Sequence, residues 1–251
     1  MSGIFRVMDL VHALRYRVYC KEKGFLDAAK YPDGVEYDSF DSYSVHIAAY
    51  DRHGAIAGTL RLVIPKEGQP FPFENFCTPF PDHEMPAKGT VAEISRLIIA
   101  PEFRVKDDQR EFSFRESIGQ VASRWRGGSK PQLSMEAHTQ AFTRVAPAAE
   151  ESTSPRILLG LFRKVYRFSK VNGIIYVYAA MEAPLARMLR RYQIVFHRVS
   201  PSVDYYGPVT LYIANLLEVE RRLAAANPEL LRWMQKSKPS KSVPLMPADQ
   251  P

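Results

Sequence analysis

Six ionisable residues stand where a folded chain should bury apolar side chains: Arg15, Asp38, Asp41, Arg61, Glu93 and Arg96. Glu93 and Arg96, with Ser95 between them, interrupt "AEISRLIIAPEFR", which otherwise reads as a core strand, and Arg61 interrupts "IAGTLRLVI". An uncompensated charge in such a strand costs several kcal/mol, so these groups must be neutralised or used. Three cations and three anions balance. One outcome is a buried ion-pair network that fixes a loop against the sheet. The other is a polar cleft for a zwitterionic substrate, where an arginine fork holds a carboxylate and a carboxylate receives an ammonium and its proton.

The elements that must position these groups follow from periodicity. Val7, Leu10, Val11, Leu14 and Val18 recur at helical spacing, which predicts an amphipathic helix ending near Gly24 with Arg15 and Tyr19 on one face. A polar, turn-rich stretch carries Glu36, Asp38 and Asp41. "VHIAAY", a "DRHG" turn and "IAGTLRLVI" read as a β-hairpin in which Leu60, Leu62 and Ile64 face one way and Arg61 the other. Residues 65–86 hold six prolines with Phe71, Phe73, Phe76 and Phe80, which excludes regular structure but supplies apolar surface. "TVAEISRLIIA" is the next strand, and "REFSFRESIGQVASRWR" reads as a helix. Residues 127–155 read as an irregular or mobile insertion. A helix at 157–168, a strand "GIIYVYAA", a short helix "APLARMLRRY", a strand "IVFHRV", and "VTLYIANL" running into a helix that ends near Asn227 complete a single domain over 1–235. The remainder, 236–251, is expected to be a disordered tail. Strand and helix alternate in the second half, so the fold class is α/β.

Composition narrows the class. The 251 residues are 46% hydrophobic and 24% charged, an ordinary globular balance. Two cysteines, Cys20 and Cys77, form no disulfide framework and no ligand spacing, which suits a reducing compartment. No apolar run approaches a membrane span, and a cytoplasmic location is expected. No G-x-G-x-x-G or G-x-x-x-x-G-K-[ST] occurs, and the six histidines are scattered without metal spacing, so no metal and no tightly bound cofactor is expected. The net charge is +7, and nine Lys/Arg against the single acid Glu182 lie between Arg156 and Arg198. That basic surface admits an acidic protein partner, an anionic membrane or nucleic acid.

Arg15-x-x-x-Tyr19, Glu36-x-Asp38-x-x-Asp41, Gly58-Thr-Leu-Arg61-Leu, Phe76 and Glu93-x-Ser95-Arg96 occur in order. Together they resemble the signature of acyl-homoserine-lactone synthases: R-x-x-x-F, E-x-D-x-x-D, R-L, a distant F and E-x-[ST]-R. Tyr19 is an aromatic swap, and the tryptophan usual ahead of the acidic motif is absent. "RYRVYCKEKGFLD", "YPDGVEYDSFDSYSVHIAA", "AEISRLIIAPEFR", "ILLGLFRKVYRFSK" and "AAMEAPLARMLRRYQIVFHRVSPSVDYYGP" are more similar to a sister group, the N-acyl amino acid synthases and PEP-CTERM/exosortase system-associated acyltransferases. The resemblance spans about residues 10–232, apart from 127–155. It implies a GNAT-type N-acyltransferase fold with a mixed central sheet splayed between strands 4 and 5, the strands being "TVAEISRLIIA" and "GIIYVYAA", flanked by helices.

The resemblance also implies a reaction: an acyl group moves from an acyl carrier protein's phosphopantetheine thioester to the amino group of an amino acid. GNAT enzymes that use coenzyme A hold its pyrophosphate on a glycine-rich turn, whereas "PEFRVKDDQREFSFRE" has no glycine. Carrier protein is thus the expected donor, with acyl-CoA the other choice. Carrier protein is acidic, and Arg163, Lys164, Arg190 and Arg191 are the expected docking contacts, with Arg104 and Lys106 near the phosphopantetheine phosphate. Glu93 and Arg96 are the expected catalytic pair. Arg61 or Arg96 would hold the acceptor carboxylate, Asp38 and Asp41 would orient the arginines or bind the ammonium, and Arg15 and Ser95 belong to the same acceptor-binding or ion-pair network. Tyr19 and Phe76 are expected at the acyl chain. The alternatives are a lactone synthase using S-adenosylmethionine and, remotely, a basic nucleic-acid-binding module. In a regular strand Arg96 faces away from Glu93 and Ser95, so action in one cleft requires a bulge or splay there.

Overall fold

The computed structural model describes residues 3–104, 112–118, 155–205 and 207–236. Helix α1 (Gly3–Tyr16) buries Val11 and Leu14 and passes directly into a π-turn, Arg17–Glu22, whose Val18, Tyr19 and Cys20 are buried. Strands β1 (Ser44–Asp51) and β2 (Ile56–Val63) form the expected hairpin. Its turn is closed by Asp51, whose Oδ1 accepts from the N–H of His53 and Ala55 at 2.9 and 2.8 Å. The proline-rich stretch contributes only a 3-10 turn, Pro72–Asn75, and folds its buried Phe71 and Phe73 back on the body. Strand β3 (Val91–Ile99), β4 (Phe112–Ile118), α2 (Pro155–Val171), β5 (Tyr176–Met181), α3 (Ala183–Arg191), β6 (His197–Asp204), β7 (Pro208–Asn215), α4 (Leu216–Ala226) and α5 (Pro228–Gln235) follow. Among the described residues, no helix is long and apolar enough to cross a membrane. The segment expected as an insertion lies outside the described residues except for Pro155, and the tail likewise except for Lys236.

Among the described residues the seven strands form one mixed sheet in the order β4-β1-β2-β3-β5-β7-β6. Only β3 and β5 are parallel, and they pair for just four residues, from Val91↔Tyr176 to Ile94↔Ala179. Beyond that point β3 continues to Ile99 and β5 to Met181, so the two part. Counted across the sheet from β4 they occupy the fourth and fifth positions, where the splay is expected. One face of the sheet, with Leu60, Leu62, Ile94 and Val177, shares a core with Leu158, Leu161 and Val165 of α2 and Val219 and Leu223 of α4. The other face presents Arg61, Glu93 and Ser95.

Two expectations are corrected. Phe112–Ile118 is not helical: it is an edge strand antiparallel to β1, in register from Asp51↔Phe112 to Val45↔Ile118. Its "FSFR" alternation has period 2, and the otherwise unpaired edge of β1 supplied the ladder that local helix propensity could not outbid. The sixth strand begins at His197, not at Ile194. Ile194, Val195 and Phe196 are apolar because they are buried, at 4–7% exposure, and not because they pair.

β3 carries an irregularity opposite β2. Arg61 pairs with Ser95 and Thr59 with Ile98, so two residues, Arg96 and Leu97, oppose the single Leu60. Arg96 takes φ 52, a left-handed conformation rare for a non-glycine residue, and this bulge turns its side chain to the face of Ser95. Next to it the backbones are tightly apposed: a Cβ on Gly58 would meet the Ile98 carbonyl oxygen at 2.8 Å and Ile157 Cγ2 at 3.0 Å. Gly58→Ala is therefore expected to destabilise the fold by about 2 kcal/mol through overpacking. A shift of the denaturation midpoint at constant m-value measures it.

Candidate active site

The acidic segment takes its shape from its own spacing. Asp38 caps the 3-10 turn Ser39–Tyr43 by accepting from Phe40 N–H at 3.0 Å, and Asp41 Oδ2 accepts from Asp38 N–H at 2.8 Å, a reciprocal capping box. Upstream, Glu36 N–H donates to the His12 carbonyl at 3.1 Å, which ties the segment to α1. Glu36, Asp38 and Asp41 thus enter from one side, and three arginines meet them from α1, β2 and β3.

Every member of this network is buried. Arg15 donates through Nε to Glu36 and through Nη1 and Nη2 to Asp41 at 2.7 and 3.2 Å. Arg61 donates from Nε to Ser95 Oγ at 2.9 Å, and from Nη1 to Asp38 and, at 2.9 Å, to Asp41. Arg96 donates from Nη2 to Glu36 at 2.9 Å and to Asp38 at 3.0 Å, and its Cζ lies 5.3 Å from the centre of the Tyr19 ring. That contact explains an aromatic residue four positions after Arg15: the chain turns through the π-turn to place Tyr19 beneath Arg96. Burial alone would raise both Glu36 and Asp41. The paired guanidiniums outweigh it, holding Glu36 down at about 2 and Asp41 well below its ordinary value.

Glu93 lies apart from this network, so the three-against-three balance stands but its third anion is Glu36. The side chain of Glu93 is fully buried. Its Oε2 accepts from Phe73 N–H at 3.1 Å, and its Oε1 has no partner. Burial pushes its pKa up to about 8, with the Phe73 N–H and Arg61 opposing the rise. Tyr178 of β5 is its register neighbour, and the Phe73 and Tyr178 rings pack 4.8 Å apart. A carboxyl one residue short of where β3 and β5 separate, its pKa raised toward the working range and one oxygen unengaged, is suited in its ionised form to take a proton from a reacting group.

Residues 14–110 match the family model for the acetyltransferase (GNAT) domain. Among solved structures, the AHL synthase LasI aligns with 17% identity over 86% of this chain and 85% of its own, TM-score 0.52. TofI, in a ternary complex with an inhibitor and MTA, aligns with 15% identity over 88% and 90%, TM-score 0.53. BjaI, a CoA-dependent acyl-homoserine lactone synthase with SAM and isopentyl-CoA bound, aligns with 16% identity over 88% and 82%, TM-score 0.54. No curated protein matches this chain. The fold is the GNAT fold.

Within this GNAT fold the other expected contacts are scattered. Tyr19 sits in the main core, with its hydroxyl pushed up to about 12 by burial. Phe76 lies across the sheet's other face, stacked on Tyr205 at 4.4 Å, so the two do not line one pocket. A small apolar cavity instead lies on the α2 side of the splay, between Ile94, Phe162, Val165, Val177 and Met234. Arg104 is not held out toward solvent for a phosphate. Its Nη2 donates to Glu22 at 3.0 Å and its Nε to the Ile99 carbonyl at 2.9 Å, pinning the end of β3 to the π-turn. The matching pair Arg17–Glu102, at 2.9 Å, reinforces this clamp. Arg163 donates to the Lys236 carbonyl at 2.6 Å and stacks 4.5 Å from the Trp233 ring, so it braces α5. Lys164 is half-buried on α2, Arg190 and Arg191 are exposed at the end of α3, and Lys106 lies outside the described residues.

Spacing missed His12 and His46, which the fold brings together with Asp41 so that one ligand atom of each lies within 4.8 Å of the others. Asp41 is already filled by Arg15, Arg61 and a backbone N–H, and a dication there would face two guanidiniums. Burial lowers both histidines, His46 to about 3, so they are neutral packing groups beside the network.

Two opposite pH effects follow. The depressed Glu36 and Asp41 contribute stability above about pH 4.5, lost as pH falls toward 2. The raised Glu93 acts in the other direction. Its contribution is complete below about 4.5 and lost as pH climbs through about 8. Denaturant titration should therefore show Asp41→Asn losing about 3–5 kcal/mol at pH 7. Glu93→Gln should fold normally and lack the wild-type decline between pH 5 and 9.

Proposed function

We propose that this protein is an N-acyltransferase that moves a fatty acyl group from an acyl carrier protein thioester to the amino group of an amino acid. Glu93 carries the reading: a buried, partly protonated carboxyl with a free oxygen, at the opening between β3 and β5, beside a cluster of arginines. At neutral pH the acceptor arrives as an ammonium. Ionised Glu93 takes one proton, the freed amine nitrogen attacks the thioester carbonyl, and the tetrahedral intermediate collapses with release of the thiolate. The thiolate recovers a proton as the amide nitrogen loses its second, so the products are an N-acyl amino acid, or amide, and the free thiol. Backbone N–H groups of β3 and β5 past Ile94 and Ala179, no longer paired with each other, are the expected stabilisers of the oxyanion.

Arg96 acts in this scheme by position. Its guanidinium is committed to Glu36 and Asp38, and the bulge that it occupies holds the strand next to Glu93. For the donor, Arg190 and Arg191 at the exposed end of α3 remain the contacts to an acidic carrier protein. The likeness to lactone synthases sustains the second reading, in which S-adenosylmethionine is the acceptor and lactonisation follows.

Incubation with acyl-carrier protein or acyl-CoA and either amino acids or S-adenosylmethionine, with products identified by mass, decides among these. An N-acyl amino acid supports the proposal, and lactone formed only with S-adenosylmethionine overturns it. The rate should rise with pH to a plateau with a midpoint near 8, since the base must be ionised, and Glu93→Gln should lose about 100-fold or more in kcat. Arg190→Glu with Arg191→Glu should raise KM for the carrier-linked donor several-fold and spare a small thioester, with the difference shrinking at high salt.

A further inference from the structure

We propose that Arg61 Nη2 and Glu93 Oε1 form the acceptor-binding pair, Arg61 taking the acceptor's carboxylate and Glu93 its amine, so that the acceptor must be an α-amino carboxylate. The assignment rests on the acyl-transfer reading above and separates two arginines whose residue types are identical.

The donors of the three guanidiniums are unequally spent. Arg15 spends Nε, Nη1 and Nη2 on Glu36 and Asp41. Arg96 spends Nε and Nη2 on Glu36 and Asp38 and lays its plane against Tyr19. Arg61 spends Nε on Ser95 and Nη1 on Asp38 and Asp41, but its Nη2 is buried and has no partner. Of the network's three guanidiniums it alone has such a nitrogen.

The second unsatisfied atom, Glu93 Oε1, belongs to the same face of the sheet. Arg61 is opposite Ser95 in the ladder and Val63 is opposite Glu93, so Arg61 and Glu93 lie on one face of adjacent strands, one residue pair apart. Ser95 Oγ and Asp38 fix the guanidinium plane, so Nη2 is oriented in advance of any ligand. A buried guanidinium N–H pair and a buried carboxyl oxygen left unpaired are each costly, and native folds keep such groups where something else completes them. The two need opposite partners: Nη2 needs an anionic acceptor, and Oε1 of ionised Glu93 needs a donor. An α-amino carboxylate carries both on neighbouring atoms. A simple amine leaves Nη2 unsatisfied and is rejected for that reason, as sites built to hydrogen-bond a substrate group reject analogues lacking it.

The test uses the full-length protein with a carrier-linked or CoA-linked acyl donor, and pairs each acceptor amino acid with its decarboxylated amine. Wild type should favour the amino acid by about 100-fold or more in kcat/KM. Arg61→Lys should bring that ratio within about tenfold, chiefly through KM for the amino acid. Glu93→Gln should lower kcat for both acceptors and keep the ratio. An unchanged ratio in Arg61→Lys overturns the assignment, as does a wild type that acylates the amine as well as the amino acid. Thermal shift of the wild type with amino acid or amine alone reports binding without chemistry, and equal shifts for the two also overturn it. It decides the matter even if Arg61→Lys fails to fold. Acylation of no amine from either donor, with a larger thermal shift for the amino acid, would instead sink the acyl-transfer reading and leave the binding pair standing.

Discussion

Three buried guanidiniums and three buried carboxylates hold four separate pieces of chain in one arrangement. Arg15 comes from α1, Glu36, Asp38 and Asp41 from the segment before β1, Arg61 from β2 and Arg96 from β3. None of these charges is tolerable alone in the interior, and each is tolerable only because the others stand at hydrogen-bond distance. The capping box of Asp38 and Asp41, the left-handed backbone of Arg96 and the aromatic floor under Arg96 all serve that placement. Remove one member and an uncompensated buried charge remains, so the network is all or nothing.

Glu93 shows what the same strand does to a carboxyl that the network leaves out. Glu36 and Glu93 are chemically identical and both fully buried, yet one is held down at about 2 and the other pushed up to about 8. The difference is the number of guanidiniums in direct contact: Glu36 bonds two, while Glu93 has a single peptide N–H. Burial thus produces a permanent counter-ion in one place and a proton-exchanging group in the other. β3 parts from β5 just past that second group, which stays fully buried beside the opening.

Much of this is legible in the one-dimensional pattern. The alternation in "IAGTLRLVI" puts Arg61 opposite the core face, the charges in "AEISRLIIA" call for compensation, and a requirement that Glu93, Ser95 and Arg96 share a face calls for the bulge found at Arg96. Local patterning failed where a partner decided the outcome. Phe112–Ile118 became a strand because β1 had an open edge. Arg104 and Arg163, two surface cations by sequence, are spent on Glu22 and the α5 terminus, partners 82 and 73 residues away. The histidines at 12 and 46 meet beside Asp41 although no spacing links them.

Sequence by itself determined the α/β class, the hairpin, the irregular phenylalanine-rich stretch and the set of charged residues that had to be reconciled with burial, because periodicity and composition are local properties. Tertiary structure alone decided which acid joins which arginine. It excluded Glu93 from the network, admitted Glu36, and left a single guanidinium nitrogen on Arg61 without a partner. Such choices depend on distances between residues far apart in the chain, and at full burial a hydrogen bond made or missing separates a fixed charge from a reactive one.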